Sequence, residues 1–335
     1  MTVTSRGIMF AAALVAAGGT SFASVAVAAT YGEASATRGA VLDRANYEFD
    51  DPTGINPAKG YWQCSDTTSS AGATRGALSA DSTTSDSGRH SGRIVNPPTD
   101  AAATFGRSAC EVLLSQTVKS GADIYYSLAL LLPRSWSGHT TWADHANVAF
   151  FAYVAMQGPV VVAVYDNRIA LMLAAGECVA GVGCAYDNSC GGECFGHANN
   201  VPCNPRNSAN PAGGIQGCKI VPPGRLHLGV WQQIIVHVRE TPRPDGLVEA
   251  WWKPKAGRRW EKTVTMSGMP TVELGTNSFG QTLTPATYDA GTLVATDKFG
   301  LQDASTKPVE IWQDDDCVTT SFAAAASCFG RHGRR

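Results

Sequence analysis

His237, four tryptophans and a run of three aspartates are the residues of this 335-residue chain whose types and spacing could do chemistry. His237 sits in the middle of a strand-like segment, Gln232 to Arg239, and imidazole is the side chain whose ordinary titration lies nearest neutrality, so it is a candidate general base. Trp231, Trp251, Trp252 and Trp260 present amphipathic rings that match the C–H face of a pyranose. Trp251 and Trp252 are the candidate substrate platforms, and at least half of the set is expected to pack between strands. Asp314, Asp315 and Asp316 supply the oxygens calcium takes, but successive strand carboxylates point alternately. The run therefore reads as a solvated acidic turn, with calcium the lesser alternative and no other metal or cofactor expected. Glu111 and Glu249 fall on different strands and could form the carboxylate pair of a glycoside hydrolase. That reading ranks last, because no E-x-D-x-E run supports it, and without a G-x-S-x-G elbow serine-hydrolase chemistry is not expected.

The ten cysteines are an even number, read first as disulfides in an exported chain. Cys178, Cys184, Cys190, Cys194, Cys203 and Cys218 crowd a Gly/Asn-rich stretch, 178–218, with few apolar residues to order it, so crosslinks are expected to staple that loop. No C-x-x-C pair occurs, which disfavours zinc. Of the outer four, Cys317 with Cys328 is a plausible local pair and Cys64 with Cys110 the other; sequence does not fix the connectivity.

The elements that must position these residues are strands. Charged residues make up only 16% of the chain and glycine accounts for 35 positions, a composition that suits frequent turns and an all-β fold. Strands are predicted over Ala109–Leu114, Asp123–Leu132, Asn147–Met156, Val160–Tyr165, Arg168–Leu173, Arg259–Met266, Lys298–Leu301 and Val309–Gln313. A long hairpin is predicted from Gln232–Arg239 and Leu247–Trp252 around the turn 242–246, and it is expected to lie over a concave, aromatic-rich sheet. The stretch Ser65–Gly92 reads as solvated loop with at most short strands. Residues 1–29 read as a secretory signal peptide, with Arg6, a short apolar run and Ala26-Val27-Ala28 as the cleavage site. Residues 30–45 read as a flexible leader, 46–330 as one β-sandwich or jelly-roll domain and 331–335 as a tail. The chain is expected to be extracellular and monomeric, with no membrane span. A net charge of −2 with both signs mixed excludes the basic stripe of a nucleic-acid binder.

Five segments in order carry a resemblance. They are Tyr125-Tyr126 through Pro133 to Trp136, Gly158-Pro159, Pro222 to Trp231, Gly246 to Trp251, and Asp297-Lys298-x-Gly300. Together they resemble the heparin lyase type I-like polysaccharide lyase family over roughly Phe49 to Phe329. The resemblance implies a concanavalin-like β-jelly roll whose concave sheet holds an acidic polysaccharide, or another glycan, and cuts it by β-elimination.

Such an elimination needs a group to neutralise the uronate carboxylate, a base for the C5 proton and an acid for the departing oxygen. The family pattern implies a Gln-Phe-His element, an Arg two residues before a Glu, and Lys-x-Gly-x-Tyr-Arg. Here Phe150 and Ala152 stand at the Gln and His positions, Ala109 at the Arg, and Gln302 and Asp303 at the Tyr and Arg. Lys298 and Glu111 remain, so Lys298 is a catalytic candidate and Glu111 and Gln302 are substrate-binding candidates. Arg107, His237, Tyr126 or its neighbour Tyr125, and Tyr153 are the candidates to fill the vacated roles. Two functions follow: an active lyase using these residues, or a non-catalytic glycan-binding relative that kept the sheet.

Overall fold

A computed structural model describes residues 39–45, 47, 61–66, 77–96, 108–118, 121–136, 146–153, 160–165, 167–178, 213–220, 226–241, 243, 245–255, 257, 259–269, 271–272, 274–276, 282–284, 286, 288, 293–303 and 308–330. All of them lie in one compact unit, Thr37–Arg335. For some strand residues, among them Glu111, Tyr153, Lys298 and Gln302, the backbone position alone is described.

The strands in chain order are β1 Val41–Arg44, β2 Tyr61–Asp66, β3 Ala77–Asp81, β4 Ser91–Asn96, β5 Ser108–Val118 and β6 Asp123–Leu131. They continue as β7 Ala146–Tyr153, β8 Val160–Tyr165, β9 Arg168–Cys178, β10 Gly213–Ile220, β11 Gln232–Arg239 and β12 Gly246–Pro254. The last are β13 Glu261–Met269, β14 Leu274–Thr276, β15 Thr282–Leu283, β16 Leu293–Asp303 and β17 Val309–Thr319, followed by a short helix, α1, Phe322–Ala326. Two sheets result. The first runs β13-β12-β11-β6-β17-β4-β3 with β1 on β17, and the second runs β15-β14-β9-β8-β7-β16-β5-β2 with β10 on β9. This is the all-β jelly roll expected from composition and strand spacing, and among the described residues no helix is long and apolar enough to cross a membrane.

Strand alternation builds the core between the sheets. Ile124, Tyr126, Leu128 and Leu130 of β6 and Ile234, Val236 and Val238 of β11 face Val112, Leu114, Phe151, Val160, Val162, Phe299 and Leu301 of the second sheet in one continuous apolar cluster. Tyr126 stacks on Phe151 with ring centres 4.2 Å apart, and Phe151 in turn meets Phe299 at 5.5 Å, so three aromatic rings tie the layers together.

The outer face of the first sheet is also covered. Seven of the eight positions of β11 are buried, rather than every second one. Ala129, Leu131 and Trp231 form a small second core there with Trp312 and Phe329 against them. Phe322 of α1 packs on Trp251 at 4.9 Å, and Cys317–Cys328, joined as the sequence suggested, pins the end of α1 back to β17. Position 64 lies directly across from position 110 in the β2–β5 ladder. Cys184, Cys190, Cys194 and Cys203 are outside the described residues, so the stapling of that loop is not described, although its flanks form β9 and β10.

The stretch read as loop with at most short strands holds one, the five-residue β3, and the first residues of its hairpin partner β4, and one reading is corrected: the end of the segment read as a flexible leader forms β1, paired with β17. Both are edge elements of few, mostly small or charged residues, whose pairing comes from the neighbouring strand rather than from their own apolar pattern.

Candidate functional site

The site is best built from the outward side of the second sheet. Phe299 and Leu301 of β16 are wholly buried in the core, so positions 298, 300 and 302 alternate to the other side. Glu111 of β5 is the register partner of Gly300, midway between Lys298 and Gln302, and it alternates with the buried Val112. On the opposite flank, Lys298 pairs with Phe150 of β7 and Thr296 pairs with Tyr153. Two residues on β16 thus span three on β7, and that bulge brings position 153 into the row of positions 296 and 298. Plain alternation from the buried Phe151 would have put it on the core side. With neighbouring strands about 4.8 Å apart and diagonal partners roughly 7–8 Å apart, position 298 stands one diagonal step from position 153 on one side and one from position 111 on the other.

The irregular stretch is held from within. Gly300 has φ +148°, a region that only glycine occupies readily, and it lies inside a second register shift between β16 and β7. The shift frees carbonyls from the ladder. Gln313, wholly buried on β17 of the other sheet, donates from Nε2 to the Val148 carbonyl at 2.8 Å, with the Gly300 carbonyl at 3.4 Å. Asn96 likewise donates to the Leu301 carbonyl at 3.1 Å. These cross-sheet amides satisfy backbone groups that an apolar core would leave costly.

His237 is not in this group. It lies on the outer face of the first sheet, across the core from positions 111 and 298, 4% exposed and stacked on Tyr125 at 4.2 Å. Its Nε2 is 2.9 Å from Asp123 Oδ1 and its Nδ1 is 3.0 Å from Glu249 Oε2. Both ring nitrogens are thus engaged by carboxylate oxygens on this face. Burial alone would raise the Glu249 carboxyl, but hydrogen bonds from Lys262 and His237 outweigh it and hold it below its ordinary value. Arg239 Nε completes the network at 3.2 Å from Asp123 Oδ1. The residue expected as the base is therefore held on the outer face of the first sheet by its cross-strand partner Glu249 and by Asp123 two positions along β6 from its other partner, Tyr125.

The other candidates divide the same way. Tyr126 is wholly buried and donates its hydroxyl to Glu240 Oε1 at 2.6 Å, so the tyrosine expected in the cleft is a core residue; Tyr125 is on the outer face but beside His237. Trp251 is sandwiched between Phe322 and the Lys262 ammonium, 4.9 Å from its ring, and Trp252 packs against the core and donates to Gln232 Oε1 at 2.8 Å. Neither is a platform for the second sheet. Glu249 and Glu111 belong to different sheets, which removes the glycosidase pair. Arg107 lies outside the described residues, immediately before β5.

The aspartate run is not a solvated turn. Asp315 takes φ +56° where β17 shifts register, so the three do not alternate, and all are buried. Asp314 Oδ2 accepts from the backbone N–H groups of Asp86 and Ser87 at 3.0 Å each, Asp315 Oδ1 from Arg44 at 3.1 Å, and Asp316 from the Tyr47 hydroxyl at 2.6 Å. Burial pushes all three carboxyls up. Among the described residues no group of three or more His, Cys, Asp or Glu side chains is arranged to hold a metal ion.

Glu240, missed by sequence reasoning, is another buried carboxyl. Burial raises it to about 7, partly offset by the bond from Tyr126. Below about pH 4.5 folded and unfolded chains both hold this proton. From there to about 7 only the folded chain does, so stability falls as pH rises through that window, and above it the slope is spent. Replacing Glu240 by glutamine, which keeps an acceptor for Tyr126, is expected to stabilise the protein at pH 8 by roughly 3 kcal/mol relative to its effect at pH 4. Urea unfolding of both proteins at the two pH values measures this, and an equal effect at both would contradict it.

A family model described as "Polysaccharide lyase" matches residues 56–273. A glucuronan lyase of the fungus Trichoderma reesei superposes with a TM-score of 0.54 at 13% identity, covering 85% of this chain and 98% of its own. An alginate lyase of Aplysia kurodai gives 0.48 at 10% identity over 85% and 100%, and a glycoside hydrolase family 131 catalytic domain of Coprinopsis cinerea gives 0.46 at 11% over 86% and 100%. None of the curated proteins compared with the chain matches it.

Proposed function

Because the chain belongs to the polysaccharide lyase family, we propose that it cleaves a uronic-acid polysaccharide by β-elimination on the outward face of the second sheet. The observation that carries this reading is the bulge that brings Tyr153 into register with the row of Lys298, Glu111 and Gln302. In this mechanism the Lys298 ammonium neutralises the uronate carboxylate, which acidifies the C5 proton. Tyr153, as its phenolate, takes that proton, the electron pair forms the C4–C5 double bond as the C4–O bond breaks, and the Tyr153 hydroxyl so formed gives the proton to the leaving oxygen. No water is consumed. Glu111 and Gln302 contact sugar hydroxyls, and Arg107, which precedes β5 in the sequence, is the candidate second cation.

The balance of 26 basic against 28 acidic residues favours a carboxylated, unsulfated chain over the sulfated substrate that the narrower heparin lyase likeness suggests. The leader 1–29 directs the protein outside the cell, where such polymers are found. The test is incubation with glucuronan, alginate and heparin-type substrates while following the ultraviolet absorbance of unsaturated uronate ends. A rise is expected with at least one, and no rise with any sinks the enzyme reading. The departures at Phe150 and Ala152 favour a second reading, a non-catalytic glycan binder on the same face. It is supported if acidic oligosaccharide is retained without cleavage and released by Lys298→Ala.

A further inference from the structure

On the outer face of the first sheet, at its β3 edge, Ser79, Asp81, Thr83, Arg93, Glu310 and Trp312 line a recess of about 480 Å³. Cross-strand pairing builds it. Ser79 is the partner of Arg93, Arg93 is the partner of Trp312, and each alternates with a core residue, Leu78, Ile94 or Ile311. Arg93 is bonded through Nε to Glu310 and lies over the Trp312 ring with its guanidinium carbon 6.0 Å from the centroid. Asp81 fixes the indole by accepting from Trp312 Nε1 at 2.7 Å, and it also accepts from the Thr83 amide and hydroxyl at 2.7 and 2.6 Å.

These bonds leave a defined set of groups uncommitted. The two terminal guanidinium nitrogens of Arg93, the second carboxylate oxygen of Glu310 and the Ser79 hydroxyl bond no described residue, and all three residues line the recess together with the half-buried indole. Fixed donors and acceptors around an aromatic surface read the vicinal hydroxyls and C–H face of a pyranose. The charge selects which pyranose. Two carboxylates against one guanidinium leave −1, and Asp81 stays ionised because the bonds from Thr83 and Trp312 outweigh its burial and hold its carboxyl low. A polyanion is repelled there.

We propose that this recess is a second glycan site, separate from the lyase face, that takes a neutral hexopyranose chain. It anchors the protein to a neutral polysaccharide lying beside the acidic one, and its occupancy does not depend on whether the second sheet is catalytic. The test is calorimetric titration of the full chain with neutral gluco-, manno- and galacto-configured oligosaccharides, alongside an oligoglucuronate. At least one neutral series is expected to bind. Arg93→Ala, at an exposed side chain, is expected to weaken that binding at least tenfold, as is Trp312→Phe, whereas Lys298→Ala leaves it unchanged. Absence of binding by every neutral series, full binding by Arg93→Ala, or loss in Lys298→Ala instead would overturn the proposal. A protein that binds a neutral series but yields no unsaturated product refutes the lyase reading alone.

Discussion

Alanine at Lys298 is expected to lower kcat/KM on a polyuronate by roughly 10²–10³-fold, because removing one preorganised charge from a developing anion costs that much. Phenylalanine at Tyr153 is expected to cost a similar or larger factor, since a positioned proton-transfer group contributes about 10²–10⁴-fold. The informative contrast is His237→Gln. His237 is held between Asp123 and Glu249 on the far side of the sandwich, so its replacement is expected to lower thermal stability and leave kcat/KM unchanged. Steady-state rates on the best of the three substrates decide the matter. If folded His237→Gln is inactive and Lys298→Ala is active, the site is on the wrong sheet.

The largest stability effect is expected at Phe151. Its ring is wholly buried, stacked on Tyr126 of the first sheet and tilted against Phe299 of its own. Alanine there opens a cavity at the junction of the two layers and is expected to cost about 3–5 kcal/mol, the usual range for a large aromatic in a core. Urea unfolding measures this, and a loss below about 1 kcal/mol would mean the aromatic stack does not hold the sheets together. The same substitution is expected to reduce activity more than its stability cost alone explains, because the bulge that sets Tyr153 begins at this residue.

Much of the fold was legible because long strands announce themselves. Val160–Tyr165 and Gln232–Arg239 carry β-branched runs whose bounds the structure reproduces, and Asp123–Leu132 is off by one residue. β1, β3 and β4 were not legible, since β1 and β4 take their places from β17 near the far end of the chain and β3, a short strand at the sheet edge, takes its place from β4. The period-two rule sorted β6 correctly, with Tyr125 and Tyr126 on opposite sides, but nothing local said which side was the core. For His237 the rule gave the face but not the sheet, because membership of a sheet depends on pairing rather than pattern. Tyr153 reached its row through a bulge, a departure from alternation that single-sequence reasoning has no means to place. The aspartate run misled for a related reason. Three adjacent carboxylates look solvated unless Arg44, Tyr47, Ser87 and the Asp86 amide are known to be waiting for them.

The most direct test of the central claim is the fate of water in the cleavage. Glucuronan is incubated with the full chain in oxygen-18-labelled water and the product ends are weighed by mass spectrometry. Elimination on the second-sheet face is expected to give pairs of ends that, once the reducing ends are trapped by borohydride, sum to the parent chain with no water added, and to give them roughly 10²–10³-fold more slowly with Lys298→Ala. Products that gain a labelled water, or products without added water made as readily by Lys298→Ala as by the wild type, would contradict it.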